Sequence, residues 1–470
     1  LGPDHDDIPS FSATFDVHDG AFKYPDLPLG VSDLHLDVKM KHPGGNLDRM
    51  RLDVPKYSVA AGKSHARGRL TVVRPISRPE LELVLDGQFD AEEMAKAYPI
   101  PDVETLAGLI VIAIDLASKG DRIEKLNGSI AVSNLRYQAP GSPSVHIRKA
   151  RVDLSPENTK IQELQAQIGE SDLSLTGLVS PLTTLWMGDQ TVTASAWLRS
   201  KRLRVEDFVS AEEDEKAEMA APFTFPENLD ANLELDVGKL TYGDVVLENF
   251  KGTGRLRNRK LTFEDVRATA LGGAMKLDGN VATPVNGQPT FDVTYEVDEA
   301  RFSDAFEALP SMRAYVPIAR YLDGRFSADL SASGTLDETL SPRLDSIDAS
   351  GFAAALQSRL TSDFKPLAAL NQAIPTIPKP LDIEGVRARF KVEDGTMKLS
   401  PTTVKARGIA MQVSGAHGLD QEMKYQVASE VPLDELSSKL AKEAKSLGLD
   451  LSKAKTVGVR ASLTGTIEAP

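Results

Sequence analysis

The sequence predicts a mainly β protein: an elongated, curled antiparallel β-sheet groove built from about four repeats, with short crossover helices. Three observations lead there. Apolar and polar positions alternate with period two, as in Met275, Leu277, Gly279 and Val281 against Lys276, Asp278 and Asn280. Segments with this pattern recur in a shared register. The predicted helices are too few and too short to cover one face of so long a sheet.

The opening strands come first. FSATFDVHDGAFKY from Phe11, LNGSIAVSNLRYQA from Leu126 and LDANLELDVGKLTY from Leu229 align without gaps. Apolar residues fall at Phe15, Ile130 and Leu233, then at Val17, Val132 and Leu235, then at Phe22, Tyr137 and Leu240. Each segment reads as a hairpin, turning at Asp19-Gly20, Ser133-Asn134 or Val237-Gly238.

Each repeat closes on a glycine. Gly68, Gly177, Gly279 and Gly415 follow Ala66, Leu175, Leu277 and Val413 at two residues' distance. The next position back is Leu173, Met275 or Met411 in three copies and Ser64 in the first. Pro75, Pro181 and Pro284 follow three of these glycines. A glycine inside a strand marks a bulge, a bend or a close backbone approach, and a following proline ends the ladder. Helices are expected after the strand sets, from Asp90, Arg204, Asp298 and Pro432. Another helical stretch, Phe352 to Ala369, precedes the proline-rich IPTIPKPL. The repeats are placed at 11–100, 101–222, 223–322 and 323–470.

An antiparallel sheet with one apolar face folds on itself, packs against another layer, or binds something apolar. A trough with an apolar inner face fits the pattern. So does a row of closed β-sandwiches, and periodicity leaves both open. The groove face would carry Phe15, Val17 and Phe22 in the first repeat and Ile130 and Val132 in the second. The third supplies Leu233, Leu235, Leu240, Met275 and Leu277, and the last Phe390, Val392, Met411 and Val413. Side chains alternate along a strand, so Glu234 and Asp236 should face water.

Composition narrows the chemistry. With 54 Lys and Arg against 68 Asp and Glu, the 470-residue chain carries −14, which argues against nucleic acid and against broad adhesion to anionic headgroups. There is no cysteine, so disulfides, thiolate metal sites and cysteine catalysis are excluded. The most apolar run, LAGLIVIAIDL from Leu106, is about half the roughly 20 residues a spanning helix needs. No segment is expected to span a membrane, and the sequence, which begins in mid-stride at Leu1, reads as a soluble piece of something longer.

Catalytic motifs are weak. His5, His18, His35, His42, His65, His146 and His417 form no helical metal-ligand pair. DHDD at Asp4 reads as a solvated terminus. GTGRLRNRK from Gly252 lacks the ending of a phosphate loop, and Arg255, Arg257 and Arg259 are expected on one solvent-facing strand face. No G-x-S-x-G elbow occurs.

The region from Gly385 to Pro432, GVRARFKVEDGTMKLSPTTVKARGIAMQVSGAHGLDQEMKYQVASEVP, adds a resemblance. Its pieces are a strand, Asp394-Gly395, a strand ending Ser400-Pro401, a strand into Ser414-Gly415, then Leu419-Asp420-Gln421 and a strand ending Val431-Pro432. In this order they resemble the C-terminal region of the AsmA-like family. GTLDETLSP at Gly334 and the terminal GTIEAP are similar to family motifs as well. The resemblance covers Ile347 to Pro470 well and the earlier repeats loosely. It implies a periplasmic β-groove, related in shape to bridge-type lipid-transfer proteins, tethered to the inner membrane of a Gram-negative envelope by an N-terminal helix that this sequence lacks. It further implies a non-enzymatic carrier of phospholipid towards the outer membrane, with no catalytic residues and no cofactor. Outer-membrane or periplasmic proteins would be its further partners. The alternative is an envelope scaffold of closed sandwich repeats that conducts no lipid.

Overall fold

A computed structural model of the chain describes residues 8–23, 30–97, 102–120, 122–180, 191–208, 224–285, 287–337, 340–373, 377–383, 385–406, 408–433, 442, 446 and 455–466. The protein is mainly β, 70% strand and 11% helix, and its antiparallel sheet is curled and unclosed. The expected fold class holds in these respects. By its contacts the chain divides into two compact units. The first comprises Leu1–Ala220, Pro226–Val237 and Leu256–Asn258; the second comprises Ala221–Phe225, Gly238–Arg255 and Arg259–Pro470.

The first unit is a meander of β1 (Phe11–Phe22), β2 (Val31–His42), β3 (Arg51–Ala61), β4 (Ser64–Val73), β5 (Glu80–Asp90) and β6 (Thr105–Lys119). It continues through β7 (Arg122–Gln138), β8 (Val145–Leu154), β9 (Thr159–Ile168), β10 (Ser171–Val179) and β11 (Val192–Arg204). Each strand pairs antiparallel with the next. One short helix, α1 (Ala91–Ala97), follows β5 where the sequence places it. The Asp90 carboxylate accepts from Glu93 N at 3.1 Å, an N-cap bond to the first turn.

β12 (Leu229–Tyr242) and β13 (Val245–Arg257) contribute residues to both units. The second unit continues with β14 (Lys260–Ala270), β15 (Gly273–Ala282), β16 (Thr290–Arg301), β17 (Leu322–Thr335) and β18 (Asp348–Leu360). After these come β19 (Leu381–Ile383), β20 (Val386–Glu393), β21 (Thr396–Ala406), β22 (Ile409–Gly418), β23 (Met423–Pro432) and β24 (Thr456–Gly465). From β14 the pairing is again sequential and antiparallel, except that β18 pairs with both β19 and β20. The second unit's helices include α2 (Phe302–Ala308), α3 (Pro310–Tyr315) and α4 (Lys365–Ala373).

Three sequence readings are corrected. The three aligned opening segments are not hairpins. Asp19-Gly20 lies inside β1, Ser133-Asn134 inside β7 and Val237-Gly238 inside β12. Asp19 and Asn134 adopt φ near +52°, and the register shifts beside each of them. They are β-bulges, where one extra residue is absorbed without ending the strand. The spacing of five from Val17 to Phe22 and from Val132 to Tyr137 is odd. It still keeps both residues on one face, because the bulge restores the alternation. Asp and Asn tolerate the left-handed conformation in bulges as they do in turns, so local sequence reads the same for both.

The second correction concerns Phe352 to Ala369. Phe352 to Leu360 belongs to β18, and helix begins only at Lys365. Alanine favours helix in isolation, but strand pairing on both sides of β18 overrides that preference. Of the helix expected from Arg204, a 3-10 turn at Val205–Asp207 is present, and the rest lies outside the described residues. Most of the helix expected from Pro432 also lies outside them, as do the DHDD segment and Pro181. Arg259 sits in the turn after β13 with φ +58°, not on the strand face shared by Arg255 and Arg257.

The four repeat-closing glycines occupy equivalent places. A Cβ on Gly68, Gly177, Gly279 or Gly415 would overlap a carbonyl oxygen of the neighbouring strand, from Val84, Ser195, Asp292 and Lys424 respectively. Close backbone approach is thus what these glycines permit.

Candidate functional site

Each unit presents one continuous apolar sheet face, built by the alternation of side chains and kept in register by pairing. In the first unit one cross-strand row passes from Val17 through Leu36, Tyr57, Gly68, Leu85 and Ile114 to Gly128 and Leu154. It ends through Thr159 and Val179 at Ala194, so it crosses all eleven strands. A second row joins Phe89, Ile110, Val132, Ala150, Leu164, Leu175 and Leu198. The opposite face carries ion pairs such as Lys125–Asp115 at 2.5 Å and Arg67–Asp86 at 3.3 Å.

This face is open over most of its width, although Ala150, Leu154 and Thr159 within it are buried. Val17, Leu36, Leu85, Ile110, Ile114 and Val132 are all half-buried. Phe15 and Phe22 are 53% and 58% exposed. Among the described residues, the three clusters that make a buried hydrophobic core all lie in the second unit. A closed sandwich would bury both inner faces. Covering one exposed phenyl ring here is worth on the order of 1–2 kcal/mol, so the face as a whole is a strong apolar sink.

The second unit treats the same kind of face differently. A row runs from Leu277 through Tyr295, Leu330, Gly351, Phe390, Leu399, Gly415 and Tyr425 to Leu463. Over part of it the chain lays its own helices. Phe302 and Ala305 of α2 pack with Val297, Ala300 and Phe326, and the Phe302 and Phe326 rings are 4.8 Å apart. Tyr315 of α3 packs on Val392 and Met397, while its hydroxyl donates to Leu344 O. Leu367 of α4 packs with Met411, Ile409 and Val431.

The expected groove residues therefore fall into two environments. Phe15, Val17, Phe22, Ile130 and Val132 lie on the open face of the first unit. Leu233 and Leu235 are half-buried, whereas Glu234 beside them is exposed and Asp236 is half-buried. In the second unit Met275, Phe390, Val392 and Met411 meet the chain's own helical segments, and Val392 and Met411 are each only 3% exposed. Leu240, Leu277 and Val413 are half-buried. Sequence reasoning missed a long apolar part of this face, where Leu83, Leu85 and Phe89 of β5 pair with Leu116, Ile114 and Ile110 of β6. The signal lies in the sequence: ELELVLD alternates, and LIVIAID, too short for a membrane-spanning helix, is long enough for an apolar strand.

Buried polar groups are few on these faces. His417 lies in the covered part of the second unit, its Nδ1 2.9 Å from the Tyr425 hydroxyl and its Nε2 without a hydrogen-bond partner. Burial pulls its pKa below the ordinary imidazole value, outweighing the neighbouring Tyr315 and Ala314 backbone and the Asp420 charge. Burial pushes the Tyr295 and Tyr425 phenols up to about 12. No group of three or more His, Asp or Glu side chains placed to hold a metal occurs among the described residues.

No family model, curated protein or solved structure matches the chain.

Proposed function

We propose that this protein is a non-enzymatic lipid-binding protein whose open sheet face shelters phospholipid acyl chains. The observation that carries the reading is the first unit's apolar face, continuous over eleven strands and left half-exposed on all of them but β8 and β9. Exposed apolar patches of this extent are rare on soluble proteins and mark binding surfaces. A face with few directional polar groups, the Tyr57 and Thr159 hydroxyls among them, suits acyl chains, which offer length and flexibility but no hydrogen bonds. The resemblance to the AsmA-like family supports the finer reading: bridge-type transfer between inner and outer membranes, in the periplasm, with an upstream anchor. The covered face of the second unit favours a second reading for that half, a scaffold with a closed core.

Organic extraction of the purified chain followed by lipid mass spectrometry tests the proposal. Phospholipid or captured detergent should be recovered in stoichiometric amounts. A chain that carries neither, and takes up none from micelles, is a scaffold. Photo-crosslinkers refine the result: Leu235 should label lipid and Glu234 should not, because the two point to opposite faces.

A further inference from the structure

One edge of the first unit carries a surface that the apolar face does not use. Three connections meet there: residues 43–50 between β2 and β3, residues 74–79 between β4 and β5, and the turn after β6. Arg74 N donates to Met50 O at 3.2 Å, and Gly120 N donates to Pro79 O at 2.8 Å. The Asp48 carboxylate clamps the first two loops together. It accepts from Ile76 N at 3.0 Å, from Ser77 N at 2.8 Å and from the Ser77 hydroxyl. The Ser77 bonds hold its carboxyl below the usual range.

The clamp joins the loops that carry two exposed aliphatic residues, Leu47 beside Asp48 and Ile76, whose amide Asp48 holds. Leu47 is 42% exposed and Ile76 is 63% exposed. Arginines flank them. Arg74 pairs with Glu80, and Lys119 at the end of β6 pairs with Glu124. Arg49, Arg78 and Arg122 have no ion-pair partner among the described residues. Asp48 is the one acid in the described part of these connections, and its carboxylate is engaged by the loop backbone. Asp121 lies outside the described residues.

We infer that this edge docks on an anionic lipid surface, Leu47 and Ile76 entering the acyl boundary and the arginines meeting headgroup phosphates. Aliphatic tips with cationic neighbours are the pattern of interfacial insertion. The loops are already ordered by the Asp48 clamp, so docking does not have to fix them. The chain as a whole carries −14 and is repelled by an anionic bilayer, so attachment requires a local basic edge of this kind. Charge complementarity selects an anionic membrane over a zwitterionic one. An acidic protein would engage the arginines but leave the two aliphatic tips without use. The inference is independent of acyl-chain binding, since an edge can dock whether or not the apolar face is loaded.

Flotation of the full chain with vesicles tests it, comparing phosphatidylethanolamine–phosphatidylglycerol (3:1) with pure phosphatidylcholine. The parent should float with the anionic vesicles at low salt and bind at least tenfold less to phosphatidylcholine. Leu47→Asp combined with Ile76→Asp should lower anionic-vesicle binding at least tenfold, as should Arg49→Glu combined with Arg78→Glu. The control Val285→Asp, at an exposed site in the second unit, should leave it unchanged. Both double variants change exposed side chains and should keep the parent's circular dichroism and its extractable lipid. A parent that ignores anionic vesicles, or double variants that bind them like the parent, would overturn the assignment. Loss of extractable lipid in the parent would count against the function proposed above and leave this one standing.

Discussion

Gly279 shows how a single position carries the architecture. Any side chain there meets the Asp292 carbonyl of the next strand, so the ladder must spread or the residue must strain. Gly279→Val should lower stability by about 1–3 kcal/mol, the range for strain at an over-determined backbone site. Urea denaturation reads this directly, and an unchanged midpoint would mean that β16 gives way freely. His417 provides a second residue-scale handle. Its folded pKa is depressed, so the unfolded state binds the proton more readily. Stability contributed by the neutral ring is complete above the unfolded value of about 6.5 and is lost as pH falls from there towards the folded value. Acidification from pH 7.5 to 5 should therefore lower the melting temperature of the second unit. His417→Phe should flatten that dependence; an equally steep profile in the variant would assign it to other groups.

At the scale of elements, what matters is which strands have a helix over them. Val132 of β7 and Val392 of β20 look alike in sequence, and each belongs to an apolar row. Val132 is half-buried on the open face, where water reaches it. Val392 is 3% exposed beneath Tyr315. A carboxylate is tolerated where it can be hydrated and strongly disfavoured where it cannot. Val392→Asp should thus destabilise by about 3–5 kcal/mol, and Val132→Asp by less than about 1.5 kcal/mol. Thermal melts of the two variants make the comparison. Equal losses would mean that the face around Val132 is closed in solution. Deleting the α2 packing gives a further check: Phe302→Ala should cost about 3–5 kcal/mol, as for other buried aromatic truncations.

For the molecule as a whole, the uneven distribution of core predicts uneven stability. The buried clusters sit in the second unit, while the first holds its apolar face half in water. Hydrogen exchange should accordingly be faster in β1 to β11 than in β15 to β22. A ligand that binds only the folded first unit shifts its stability by mass action, about 2.7 kcal/mol at a hundredfold excess over Kd. Adding a micellar phospholipid should then slow exchange in β5 to β8 and leave the strands under α2 and α3 unchanged. Protection confined to the second unit would move the binding site there.

Much of this was legible in the sequence. Alternation assigns faces to Leu233, Glu234 and Leu235 because a pleated strand leaves no other choice. The closing glycines announced close backbone contacts because no other residue fits them. The Asp394-Gly395 turn follows from its left-handed dipeptide, with φ of +48° and +66°. Two things were decided only by tertiary structure. Whether Asp19 and Asn134 turn the chain back or merely kink it depends on the register of the partner strand, which local sequence does not encode. Whether an apolar row is open or covered depends on where a helix docks. Val132 and Val392 obey the same alternation, and only the placement of Tyr315 over one of them makes it core and leaves the other facing solvent.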